Sequence, residues 1–188
     1  GGPLTGCAMG KVLEQLDQSL IEWIGEQPVF FVATAPTVGG HVNLSPKGHD
    51  SLRVLGPRQV AYLDLTGSGA ETIAHTRENG RITIMLCAFS GPPQIVRLYG
   101  AGTAHPTGSP RYEELAPQFE GLPGARSIVV VDVERVQTSC GYSIPFMDHR
   151  ADRPTLLQWA ERKGDDGLAA YWAEKNAASI DGLPALDP

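Results

Sequence analysis

The run Arg81-Ile-Thr-Ile-Met-Leu-Cys-Ala-Phe89 constrains this chain more than any other stretch. It is almost continuously apolar and far too short to cross a bilayer. Asn79-Gly80 precedes it and Gly91-Pro92-Pro93 follows it. A run of that length between turn signals belongs to a strand in the middle of a sheet. The rest of the chain must therefore supply neighbouring strands. Val29–Ala35, His41–Ser45, Val60–Leu65, Gln94–Ala104 and Ser127–Val136 have the composition for it, which makes six strands in all. Short turns such as Val38-Gly39-Gly40 join several of them, so a mostly antiparallel sheet is expected. Gly100 and Gly102 inside one strand mark a bend of the kind that curls a sheet into a small barrel. With 22 Gly and 15 Pro the chain is rich in turns, as short-stranded β folds are.

Helices are expected around this sheet. Val12, Leu13, Leu16, Leu20, Ile21 and Ile24 recur at helical spacing over Lys11–Gly25. Its polar side is acidic, so the apolar face should dock on the core rather than on a membrane. Short helices are read over Ala70–Arg77, stopped by Asn79-Gly80, and over Arg111–Phe119. Asp50–Arg58 and Cys140–Met147 read as loops. Thr155–Lys163 and Leu168–Asn176 form two helical pieces separated by Gly164–Gly167, with Trp159, Tyr171 and Trp172 as anchors. Residues 1–8 read as a leader or cloning remnant, 9–148 as the barrel domain, and 149–188 as a helical extension packed on the barrel or on a second copy.

Composition narrows the function. Of 188 residues, 41% are hydrophobic and 19% charged, and the net charge is −6. A nucleic-acid partner calls for a basic face, which this balance argues against. No apolar run approaches the roughly 20 residues of a membrane span, and no basic-then-apolar signal opens the chain. Cys7, Cys87 and Cys140 are widely spaced, without a Cys-x-x-Cys, so a reducing cytoplasm is expected.

Two stretches carry candidate binding chemistry. In the first, His41, Asn43 and Ser45 alternate with Val42 and Leu44, which puts polar groups on one strand face and the apolar pair on the core face. Lys47 follows as a mobile cation beside the polar row, and Pro46-Lys47-Gly48 is expected to break the strand. In the second, Tyr62-Leu-Asp-Leu-Thr-Gly-Ser-Gly-Ala-Glu71 reads as a strand end, a glycine turn and a helix start. Ser68 and Glu71 have capping-box spacing. Gly67 and Gly69 would let a ligand approach the backbone, and helix-start amides favour an anion such as a phosphate.

Familiar catalytic signatures are missing. Gly6–Lys11 is one residue short of a P-loop and is followed by Val12. No Gly-x-Gly-x-x-Gly opens a βαβ unit, and Gly67-Ser68-Gly69 is not a nucleophile elbow. The five histidines show no metal-ligand spacing. No side-chain catalyst is identified, so if the protein is an enzyme a cofactor is expected to carry the chemistry.

The segments His41-Val-Asn-Leu-Ser-Pro-Lys-Gly48, Ala61-Tyr-Leu-Asp-Leu-Thr-Gly-Ser-Gly-Ala-Glu-Thr72, Glu78-Asn-Gly-Arg-Ile-Thr-Ile-Met-Leu-Cys-Ala-Phe89 and Ile95-Val-Arg-Leu-Tyr-Gly100 together resemble the pyridoxamine 5′-phosphate oxidase-like flavin-binding split barrels. The resemblance covers Met9–Asp148. The tail around Asn176–Leu183 resembles an extension of one subgroup other than the true oxidase. The resemblance implies a mainly β fold: a six-stranded antiparallel split β-barrel with peripheral helices, working as a homodimer with FMN in a groove between subunits. It places Asn43, Ser45 and Lys47 along the flavin, and Thr66, Gly67, Ser68, Glu71 and Thr72 near the ring edge and phosphate.

This chain departs from the family where the phosphate segment commonly carries adjacent basic residues, since it has Glu71 and Thr72 there. Phosphate binding would then rest on backbone amides, on the Ser68 and Thr72 hydroxyls, and on Lys47 or an arginine. That arginine would come from the partner subunit, with Arg77, Arg81 and Arg97 as the candidates. The implied activity is an FMN-dependent oxidoreductase moving a hydride to or from a small organic substrate, with Lys47 beside the reduced ring. The alternatives are a non-catalytic flavin-binding or redox-sensing protein, and a reductase using the deazaflavin F420.

Overall fold

A computed structural model describes residues 10–187. The expected leader, 1–8, lies outside the described residues. Eight antiparallel strands form one sheet. In chain order the elements are β1 (Val12–Leu13), α1 (Gln18–Gly25), β2 (Phe30–Thr34), β3 (Asn43–Lys47), β4 (Leu52–Gly56), β5 (Gln59–Leu65), α2 (Glu71–Asn79), β6 (Arg81–Cys87), β7 (Ile95–Pro106), α3 (Pro110–Leu115), β8 (Ala125–Ser139) and α4 (Thr155–Lys175). The sheet order is β3-β2-β6-β7-β8-β5-β4, with β1 paired to β8.

The sheet is strongly curled. Strands lie about 4.8 Å apart, so β2 and β5, four places apart in the order, would be separated by about 19 Å in a flat sheet. Yet the rings of Phe30 on β2 and Tyr62 on β5 stand 5.6 Å apart. Lys47 on β3 likewise reaches Asp64 on β5 at 2.9 Å. The register shift between Tyr99 and Gly100 in the β7–β8 ladder supplies the bend that the glycines predicted. The enclosed core gathers Val32, Ile82, Ile84, Leu86, Val96, Leu98, Val129 and Val131 with Leu20 and Ile24 of α1. A second cluster lies between β5, β8 and α3 and includes Leu63, Ile128, Leu115 and Phe119.

Several local expectations change. The periodic stretch from Lys11 starts as β1, and the helix opens only at Gln18, because the Asp17 side chain accepts from Leu20 N–H and sets the start there. The expected loop Asp50–Arg58 contains β4, a hairpin partner of β5, so the strand count rises above six. Pro46 does not break its strand. It pairs with Phe31 inside β3, which is tolerated because β3 is an edge strand with no partner needing that N–H. Val42 and Leu44, expected in the core, are 76% and 66% exposed, because the inward face of this strand is its polar one.

The C-terminal helix α4 is two helical segments meeting at Gly164, where φ is +64°. Beyond it the chain turns back on itself, with Ala178 bridging Pro184. Ala185 and Leu186 pack against Ala70 and against Ile73 and Ala74 of α2. Among the described residues no helix is long and apolar enough to cross a membrane.

Candidate functional site

β3 and the β5–α2 turn face each other across a groove of about 490 Å³. Asn43, Ser45, Lys47, Gly67, Ser68, Glu71 and Thr72 all line it, joined by Arg126 of β8 and by Ile180 of the tail. Seven of the eight residues singled out from sequence thus converge although they come from two separate segments. Thr66 is the exception. It is buried, its N–H and hydroxyl both donate to Gly124 O, and it accepts from Trp172 Nε1 at 2.8 Å, so it braces the turn instead of lining the groove.

The floor is a line of charges. Asp64 is fully buried, with Lys47 Nζ at 2.9 Å and Arg126 Nε at 2.7 Å, and it accepts a longer bond from Ser127. Burial alone would raise its carboxyl pKa, but Arg126 and Lys47 outweigh burial and hold it well below the usual carboxylate range. Lys47 is therefore not the mobile cation its sequence position suggested. It is docked on Asp64, with its ammonium 5.8 Å from the Tyr62 ring centre.

A neutral network lies alongside. Ser45 Oγ donates to Asn43 Oδ1 at 3.0 Å, and Asn43 Nδ2 donates to Thr72 Oγ1 at 3.1 Å. Thr34 Oγ1 takes a longer bond from the same amide and meets His75 Nδ1 at 2.9 Å. His75 is buried, and its Nε2 has no hydrogen-bond partner among the described residues. Desolvation lowers its pKa, opposed by Glu71, Asp181 and Glu78, so the ring is held neutral.

The capping box does not form. The residue preceding the first turn of α2 is Ala70, with no side-chain cap, and Ser68 is exposed at the rim. Glu71 instead accepts from Ile180 N–H at 3.0 Å, and its other oxygen lies against Gly69, where any side chain would collide. The tail has captured the carboxylate, so the first-turn amides of α2 stay uncapped. The same tail closes one end of the groove. Asp181 accepts from the His41 backbone N–H and meets His41 Nδ1 at 2.7 Å, and these bonds lower the Asp181 pKa.

Arg77, Arg81 and Arg97 are absent from the groove lining. Arg77 donates to Ala185 O and Asp187, Arg81 to Pro36 O, and Arg97 to Ser139. Arg126 is the cation that sequence reasoning missed. Its one local signal was a charge at the mouth of an otherwise apolar strand. A larger cavity of about 1140 Å³ adjoins the groove, shares Lys47 and Gly67 with it, and is lined by Trp23, Phe31, Leu63 and Phe89. Among the described residues no cluster of His, Cys, Asp and Glu could hold a metal ion.

Known proteins resemble this chain in sequence and in fold. The chain is 42% identical over 190 aligned positions to the pyridoxamine 5′-phosphate oxidase family protein ustO of Aspergillus flavus, an alignment covering 92% of this chain and 76% of that protein. HupZ of Group A Streptococcus has a similar fold, with a TM-score of 0.53 and 24% identity over 64% of this chain and 91% of that one. A putative pyridoxamine 5′-phosphate oxidase of Lactobacillus delbrueckii matches with a TM-score of 0.52 and 18% identity, over 66% and 94% of the two chains. Residues 16–140, from the approach to α1 to the end of β8, match the family profile described as pyridoxamine 5′-phosphate oxidase, and the chain belongs to that family.

Proposed function

We propose that the protein is an FMN-dependent oxidoreductase acting on a small organic substrate. One observation carries the reading: the polar face of β3 and the glycine turn before α2 line a single groove that runs to an uncapped helix start. Its volume of about 490 Å³ lies within the range typical of small-molecule sites. Amides at the start of α2, the Ser68 and Thr72 hydroxyls and the Gly67–Gly69 backbone suit a phosphate. The amide of Asn43 and the hydroxyl of Ser45 suit the polar edge of a ring system. Family membership favours the same group.

FMN, when bound, supplies hydride transfer through its ring system. The chain's own residues bind and orient. Asp64 fixes the Lys47 ammonium at the groove wall, where it stabilises negative charge on a neighbouring group. Asn43 is oriented by Thr72, Thr34 and Ser45. We place the substrate in the adjoining apolar cavity, beyond Lys47 and Gly67. The reading includes a homodimer, supported by exposed Leu44 on the edge strand β3 and exposed Val42 just before it, an apolar edge that a second copy would cover. It includes a reducing cytoplasm, in keeping with the free thiols of Cys87 and Cys140.

The test is a visible spectrum of the purified protein and of Lys47→Ala, before and after adding FMN. A flavin band with micromolar affinity, weakened in the variant, is expected. No band and no binding at micromolar FMN would sink the cofactor assignment. Reduction by NADH or NADPH followed by rapid reoxidation with an organic acceptor separates an enzyme from a flavin carrier.

A further inference from the structure

We infer that Arg126 is the phosphate-binding cation of the groove and that Asn176 of the C-terminal tail is its positioning residue. The inference rests on the flavin reading and assigns residues that the motif segments do not contain. The two positions occupied by Glu71 and Thr72 provide no cation, and no other arginine lines the groove among the described residues. Arg126 does line it. The side chain is only 5% exposed, so its direction is set by its neighbours. Nε donates to Asp64 Oδ2 at 2.7 Å. Nη1 donates to Gly69 O and to Asn176 Oδ1, both at 2.8 Å.

These bonds account for Nε and Nη1. Nη2 has no partner among the described residues, yet it is not among their fully buried unpaired atoms. The guanidinium thus keeps one donor edge for the groove. The bond from Nη1 to Gly69 O puts the guanidinium two residues before the start of α2, beside its uncapped amides. A guanidinium and a helix N-terminus at one point recognise a phosphate dianion.

Asn176 is fully buried and holds both sides of this corner. Its Oδ1 accepts from Arg126, and its Nδ2 donates to Gly67 O at 3.2 Å. It sits directly after α4 and caps it through its own N–H to Trp172 O. The tail therefore connects the end of α4 to the phosphate end of the groove. Its bond from Ile180 N–H engages one oxygen of Glu71, the one acidic residue lining the groove, while the other oxygen stays against Gly69.

The experiment compares FMN with riboflavin, which lacks the phosphate, by quenching of flavin fluorescence on the wild-type protein, Arg126→Lys, Asn176→Ala and the control Arg97→Met. The wild type should prefer FMN. Both site variants should lose roughly ten- to hundredfold of that preference, the usual weight of a charge-assisted hydrogen bond, with riboflavin affinity nearly unchanged. Arg126→Lys keeps a cation for Asp64 but removes Nη2, and thermal unfolding checks that each variant is folded. Arg97→Met should retain the preference. If the wild type binds neither flavin, the cofactor reading falls and takes this inference with it. If the wild type binds both equally, or folded variants keep the full FMN preference, the inference alone is overturned.

Discussion

Replacing Asp64 with Asn tests the centre of this architecture. The carboxylate is fully buried and has a cation on each oxygen, Lys47 at 2.9 Å and Arg126 at 2.7 Å. The amide keeps the shape but removes the charge, and it presents an NH₂ to one of the two cations. Removing one partner of a buried ion pair costs about 3–5 kcal/mol, because the remaining charge stays desolvated. Here two cations are left, one of them almost fully enclosed. For a chain of this length each kcal/mol lowers the melting temperature by about 2–4 °C, so a fall of about 6–20 °C is expected. Denaturant unfolding at pH 7 should show a lower midpoint with the slope unchanged. The pH dependence carries its own sign. The folded pKa of Asp64 lies below its ordinary 3.8. Its contribution is therefore complete above about pH 4 and is lost as the pH falls toward and through the folded value. The gap between wild type and Asp64→Asn should narrow over that acid range. A loss below about 1 kcal/mol at pH 7, or a gap that is unchanged in acid, would refute the charge-line argument.

Truncation after Lys175 should remove Asn176, the Glu71 latch and the burial of Ala185 and Leu186 on α2. The expected result is a loss of about 2–4 kcal/mol in denaturant unfolding together with weaker FMN binding, since a fully buried Leu alone is worth about 1.5–3 kcal/mol. His75, held neutral by desolvation, should cost stability as the pH falls below its ordinary value of 6.5, because only the unfolded chain then takes up the proton freely. His75→Gln should lack that part of the slope between about pH 6.5 and 5 when measured against wild type. Gly124 sits at φ +79° with its missing side chain facing Ala160 at 2.8 Å, and its carbonyl takes both Thr66 bonds. Gly124→Ala should destabilise by at least about 1–2 kcal/mol, the usual cost of a left-handed non-glycine residue, read as a fall in melting temperature.

The fold was legible where the signal was local. The apolar run at Arg81–Phe89 marked β6, which lies between β2 and β7. The glycines at 100 and 102 marked the bend of β7, and Gly80 ends α2 in the left-handed conformation. What failed was also local. Helical periodicity from Lys11 could not show that β8 would recruit Val12 and Leu13 as a strand. Gly56-Pro57 made the segment of β4 read as loop, and only pairing with β5 makes it a strand. The Ser68–Glu71 spacing predicted a cap, but a tail amide more than a hundred residues away competed for the carboxylate.

The sequence by itself determined the parts: strands and stops written in periodicity and turn residues, a polar strand face at Asn43–Lys47, and a glycine turn before a helix. Those properties depend on neighbours within a few positions, so one strand or turn is enough to read them. The tertiary structure alone decided how the parts are charged and held. Lys47 meets Asp64 across 17 positions, Arg126 meets it across 62, and Asn176 meets Arg126 across 50. Those contacts exist only because the sheet curls until β3 faces β5 and because the tail returns to the start of α2. Curvature, register and the return of a distant segment are properties of the whole folded sheet, and no local pattern carries them.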